Sequence, residues 1–452
     1  MKTLSHIIIA PLVIMLLAGQ TNAETLNSVW ADGYTNSGLL AQNRALLRAA
    51  DEDVVIALAA LRPIVEWRGE VDAENSVLTD DVSLTAAPTL STEVTLLDGG
   101  ANRLRVQIQR DTVRAVGAVL MGVDLDVLLR ATTSYFDVLE ARQLVALETR
   151  NVALLRQELA GAQARFDVGE VTRTDISITE ARVATAISQQ AAAQGDLTLA
   201  TEAFRLDVGR PPGIIDQVTA DMQPDLAYPP RGRGLEQALR DHPAVLEATY
   251  RLAAADGSIA LAQTALSPTT TLRGEFSFDQ DTQPGGLLRL RSTGPIYSGG
   301  ALASGVRRAY ALRGEAAAIL RIILQDVQRQ VNFAYIDLDV AIAELNAARV
   351  QVDATNIAFD SIREEARLGS RMQLDVLDAA QELRVAETDL IIAQIDVMRA
   401  RVGILHATGL LSADFLDLPV ERYELGAASR AAPQAPNATS PQGRALDRIL
   451  QR

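Results

Sequence analysis

The stretch from Glu365 to Leu383, EARLGSRMQLDVLDAAQEL, decides the fold. It reads as helix on both sides of Gly369, with a carboxylate, Asp375, just past the stop. Two hundred residues earlier, Ala164 to Arg182 reads ARFDVGEVTRTDISITEAR. Gly169 answers Gly369 there, and Asp175 answers Asp375. Glycine suits a helix C-terminus because it accepts a left-handed backbone without a side-chain clash. A chain that stops two helices with one device at matching positions is a doubled chain.

The same offset runs through the sequence. Asp98-Gly99-Gly100 meets Ser298-Gly299-Gly300, Tyr135 and Asp137 meet Tyr335 and Asp337, and Gly209 meets Gly409. A period of about 200 residues is too long for a solenoid, so it marks one duplication and a pseudo-symmetric fold. Proline is missing from Thr89 to Arg210 and again from Ile296 to Leu418. Within these spans apolar residues recur every seven positions: Val138, Val145, Val152, Leu159 and Phe166, then Leu338, Leu345, Val352, Phe359 and Ala366. The seam continues past the glycines through Ile176, Val183, Gln190, Leu197 and Phe204, and through Val376, Leu383, Leu390, Val397 and Ile404. A sustained seven-residue seam marks helices packed as coiled coils. From Gly100 to Phe166 a helix extends roughly 100 Å at about 1.5 Å per residue, far beyond the usual globular helix of about 11–12 residues.

Strand signals precede each long helix. Trp67 to Ala73 and Leu272 to Asp279 alternate apolar or small residues with charge around a shared Arg-Gly-Glu core. Thr89 to Leu97 alternates likewise, and Leu288 and Leu290 alternate with Arg289 and Arg291. Such alternation suits a strand with one apolar and one wet face. Pro88 and Pro295 are expected to interrupt their strands. Four strands per chain cannot close a membrane barrel, since the smallest has about eight. If they span a bilayer, several chains contribute; if they pair locally, the chain is a soluble coiled-coil scaffold.

Composition narrows the function. The chain is 48% hydrophobic but only 4% aromatic, and its net charge is −15. That charge gives nucleic acid no electrostatic welcome, and no nucleic-acid partner is expected. Lys2, Ile7 to Ala18 and Thr21-Asn22-Ala23 form a signal-peptide pattern over residues 1–23. Lys2 is the only lysine, cysteine is absent, and the expected mature chain keeps two histidines, His242 and His406. Lysine-based catalysis and ordinary zinc sites therefore lack residues. His242, in Asp-His-Pro, reads as a helix start, and His406 as a helix end. No enzyme activity and no cofactor are expected.

At this point the residues resemble the TolC-like outer membrane efflux proteins of Gram-negative bacteria. RFDVGEVTRTD, GPIYSGGALASGVRRA and ARLGSRMQLDVLDAAQEL carry the resemblance, in that order and with the internal repeat. It covers about Glu24 to Leu418. The resemblance implies a mostly α chain with a β membrane portion: a homotrimer whose four strands per chain close a 12-stranded barrel in outer membrane lipid. The long helices continue it as a tunnel through the periplasm, an exit duct for small-molecule efflux or type I protein secretion. The chain divides into a first repeat, 24–208, a connector, 209–233, a second repeat, 234–418, and a tail, 419–452, expected to be disordered. The turns Val168-Gly169-Glu170 and Leu368-Gly369-Ser370 would meet a periplasmic adaptor (membrane fusion) protein, itself coupled to an inner-membrane transporter.

Asp375 and Asp378 would then ring the periplasmic mouth as a cation-sensitive gate. Asp375 and Asp175 also have a helix-capping reading, which Asp378, a turn further in, lacks. Arg371 would tie the closed tip to a neighbouring turn at Thr174 and Asp175. Where the family's best-known member has a tyrosine, this chain has Ala366, so a hydroxyl tie cannot form there.

Overall fold

In a computed structural model that describes residues 24–76, 81–213, 227–277, 285–421 and Arg444, a set of six elements occurs twice in the same order. The first set is α1 (Leu26–Asn36), α2 (Gly38–Ala59), β1 (Ile64–Ser76), β2 (Asp81–Leu97), α3 (Ala101–Asp167) and α4 (Arg173–Val208). The second is α5 (Arg231–Asp241), α6 (Pro243–Thr264), β3 (Thr269–Ser277), β4 (Gly285–Thr293), α7 (Ala301–Arg367) and α8 (Gln373–Ala407). The expected signal peptide and most of the expected tail lie outside the described residues, as does 214–226 of the connector.

The long helices α3 and α7 have 67 residues each and start 200 positions apart. Both begin at a glycine in left-handed conformation, Gly100 (φ 87°) and Gly300 (φ 86°). At the first of these, the Asp98 carboxylate accepts the free N–H groups of Gly100 at 2.9 Å and Asn102 at 2.8 Å. With no proline to interrupt the backbone ladder, the helix then runs on for about 100 Å.

Each long helix packs antiparallel to the helix that follows it, and the seven-residue seam supplies the contact. Val138, Val152, Leu338, Phe359, Val376, Val397 and Ile404 are all buried. The seam weakens at the turn, where Phe166 is 41% exposed. A denser core lies halfway along, where α1 and the segment after α8 fold onto α3, α4 and α8. Trp30, Leu128, Phe136, Phe204, Leu405 and Leu411 fill it, and the Trp30 indole donates to Thr132 Oγ1 at 2.7 Å. A second core joins α5 and α6 to α7 and α8 around Val331, Tyr335 and Ile404.

The four strands form one antiparallel sheet in the order β1-β2-β3-β4, so β1 and β4 are its edges. β2 passes through Pro88 without a break, opposite Gly69, which corrects the expected interruption. The last β2–β3 pair is Thr89 with Ser277. Pro88 stands one residue beyond it, so among the described residues the proline removes no β2–β3 ladder bond. Pro295 lies after β4, outside the strand. Among the described residues no helix is long and apolar enough to cross a membrane.

Candidate functional site at the helical tip

The two turns that end α3 and α7 lie at one end of the molecule and share one geometry. Gly169 (φ 83°) and Gly369 (φ 80°) are left-handed, and open space surrounds the position a Cβ would take in either. The backbone, not crowding, requires glycine here. Glu170 N–H donates to Arg165 O at 2.9 Å, and Ser370 N–H to Glu365 O at 3.0 Å, so each turn satisfies a carbonyl that its helix leaves free. Val168, Gly169, Glu170, Leu368, Gly369 and Ser370 are all exposed. Two of them are large and apolar: Val168 is 71% and Leu368 78% exposed.

The returning helices differ in their first turn. At α4, Thr172 and Asp175 form a reciprocal cap. The Asp175 carboxylate accepts the Thr172 N–H at 2.9 Å and its hydroxyl at 2.8 Å, and Thr172 Oγ1 accepts the Asp175 N–H at 3.3 Å. These bonds, the backbone one foremost, hold the Asp175 carboxyl below the usual range. At α8 the cap position is Met372, which has no hydroxyl. Among the described residues Asp375 accepts only the Met372 N–H, at 3.1 Å. Capping therefore occupies Asp175 fully and Asp375 in part.

Asp378 lies one turn further along α8 and meets Arg182 of α4 at 2.8 Å, with 56% and 40% of the two side chains exposed. Arg371 Nε donates to Glu365 Oε2 at 2.9 Å, within its own turn. The expected partners Thr174 and Asp175 are not brought to Arg371 within one chain: Arg371 is engaged by Glu365 and the Asp175 carboxylate by Thr172. Ala366 is buried against Phe359, Val376, Ala379 and Ala380, so this position is occupied by core packing rather than by a polar tie.

Sequence reasoning missed a series of polar ties between the two helix pairs. Arg165 donates to Gln373 Oε1 at 2.5 Å. Further from the tip, Arg363 meets Glu158 at 3.0 Å and Arg384 meets Glu148 at 2.8 Å. With Arg182–Asp378 they fasten α7 and α8 to α3 and α4. Nothing local announces them, since partners lie about two hundred residues apart. Among the described residues no group of histidine, aspartate or glutamate side chains could hold a metal ion.

Comparisons with known proteins agree with this architecture. The family model described as "Outer membrane efflux protein" matches residues 34–210 and 234–410, once per repeat. Outer membrane efflux protein BepC of Brucella suis is 31% identical over 422 residues, 90% of this chain and 91% of that one. Outer membrane protein TolC of Escherichia coli is 23% identical over 442 residues, 91% of this chain and 87% of that one. Among solved structures, CusC, described as undergoing conformational changes with folding and transmembrane channel formation, superposes with a TM-score of 0.80. Its sequence identity is 16%, over 85% of this chain and 92% of that one. The chain belongs to the outer membrane efflux protein family.

Proposed function

We propose that three copies of this chain assemble into an outer membrane channel, the exit duct for small-molecule efflux or type I protein secretion. One observation supports the assembly most strongly: the chain leaves unpartnered what a barrel and a tunnel would use. The sheet ends in two open edges, β1 and β4, a liability in any isolated protein. Closing the sheet takes at least about eight strands, and four from each of three chains are enough. On α7, Leu312, Ile319, Phe333 and Val340 lie at multiples of seven residues and are all exposed, as are Ile336, Val350 and Ile357. A second apolar seam on a helix already packed along its first calls for another helix.

In this reading the tip turns Val168-Gly169-Glu170 and Leu368-Gly369-Ser370 dock a periplasmic adaptor protein, and an inner-membrane transporter supplies the energy. Asp375, with a single capping bond, and the half-exposed Asp378 narrow the mouth with carboxylates. Arg371 exchanges Glu365 for Thr174 and Asp175 of the neighbouring chain when the tip closes. The duct itself makes and breaks no bonds. The test is fractionation followed by electrophoresis without boiling. An outer membrane protein migrating as a heat-resistant trimer is expected. A monomer in the soluble periplasmic fraction would instead identify a coiled-coil scaffold with soluble hairpins.

A further inference from the structure

The two faces of the β1–β4 sheet differ, and the pairing register sorts their residues. Directly paired residues point to the same side of a sheet. Trp67 pairs with Leu90, Leu272 with Leu290, and Gly274 with Leu288, so one face is apolar. Trp67, Leu288 and Leu290 are largely exposed on it, as suits lipid.

The other face carries charge, arranged by height above the helices. On the first charged rung, next to the Thr269–Thr293 pair, Arg291 pairs with Thr271, and Thr271 with Thr95. On the second, Arg289 pairs with Arg273, Arg273 with Glu93, and Glu93 with Ile64. On the third, Leu287 pairs with Glu275, Glu275 with Ser91, and Ser91 with Glu66. The two charged rungs nearest the helices thus hold three arginines against one glutamate, and the rung beyond holds two glutamates and no base. Arg273 is shared between Glu275 at 3.3 Å and Glu93 at 3.8 Å. Arg289 and Arg291 are exposed, and no salt bridge to either is found among the described residues.

Resting on the trimeric-channel reading, we propose that Arg289 and Arg291 of three chains form a basic collar inside the barrel where it meets the helical tunnel, a filter that retains and favours oxyanionic solutes. Rings of arginine select anions in pores, and the guanidinium fork matches carboxylate, sulfonate and phosphate oxygens. The collar stands at the opposite end of the tunnel from the acidic tip, so the duct carries a field of opposite sign at each end. An exported anion repelled by the mouth is drawn onward by the collar.

The test is block of single channels of the full protein in a planar bilayer by inorganic triphosphate added from the barrel side. Arg289→Gln/Arg291→Gln is compared with wild type and with Asp375→Asn/Asp378→Asn. Triphosphate is expected to block the wild type and the aspartate variant alike, and to block the arginine variant about tenfold more weakly or less at about 0.1 M salt. Equal block in the arginine variant overturns the collar. So does absence of block in the wild type, which would mean that Glu66 or Glu70 of the adjoining β1 neutralises the pair. Absence of any conductance from wild-type trimer overturns the channel reading itself, and the collar with it.

Discussion

Replacing Arg384 with methionine isolates what the buried ties between the helix pairs are worth. Arg384 Nη1 meets Glu148 Oε1 at 2.8 Å, with only 15% and 8% of the two side chains exposed. Methionine keeps the apolar stem and removes the charge, leaving Glu148 with the Asn151 amide at 3.3 Å as its remaining donor. Removing one partner of a buried pair costs about 3–5 kcal/mol because the other charge stays behind. With Asn151 retained, about 3 kcal/mol is expected, the low end of that range. If α8 opens locally from α3, its amides around Arg384 exchange with solvent on the order of a hundredfold faster. Hydrogen exchange of the purified trimer reads this directly, peptide by peptide. Glu148→Met/Arg384→Met should restore most of the protection, because an apolar pair of similar volume is close to neutral. An acceleration below about threefold, with single and double effects adding, would refute the reasoning.

Other consequences follow from single residues. Gly209→Ala should lower the unfolding free energy by about 2–3 kcal/mol, combining left-handed strain with loss of a hydrogen bond. At φ 88° a Cβ there comes within 2.7 Å of the Asn36 side chain, whose amide donates to Val208 O. Gly169→Ala, in open space, should cost only about 1 kcal/mol; denaturation midpoints compare the two. Asp124, in the middle of α3, has its carboxyl raised to about 6, chiefly by burial and further by Asp414, against the Ala413 N–H that it accepts. The folded chain therefore holds this proton more tightly than the unfolded one. Its contribution is complete below about pH 4 and is lost as the pH rises toward 6. Asp124→Asn should remove that decline from a plot of unfolding midpoint against pH. Arg371→Ala should leave stability nearly unchanged, since the Arg371–Glu365 pair is half exposed and screened by solvent. Its conductance should nevertheless rise, and an unchanged conductance would count against a tie to the neighbouring chain.

Much of the fold was legible because its determinants are local. The glycine stops, the proline-free spans and the seven-residue seam lie along single segments, and α3 and α7 repeat at the offset read from Gly169 and Gly369. His242 as a helix start was equally local: its Nδ1 accepts the Ala244 N–H at 3.2 Å. Pro88 misled because a proline's tolerance in a strand depends on which ladder bonds its position is asked to make, and that is set by tertiary pairing. At the tip, the cap at Asp175 could be read from Thr172 three residues before it. Arg182–Asp378, Arg165–Gln373 and Arg384–Glu148 could not, since arginine and glutamate on helix surfaces look alike whether they face water or another helix. His406 shows the same limit. It lies near the end of α8 as expected, but its Nε2 lies 3.1 Å from Asp126 of α3.

Single-channel conductance of the purified protein, compared with Asp375→Ala/Asp378→Ala, tests the central claim most directly. The account predicts a small, cation-preferring pore, blocked by multivalent cations from the tip side, whose block disappears in the double variant. A silent bilayer, from protein shown to be folded and trimeric, would contradict it.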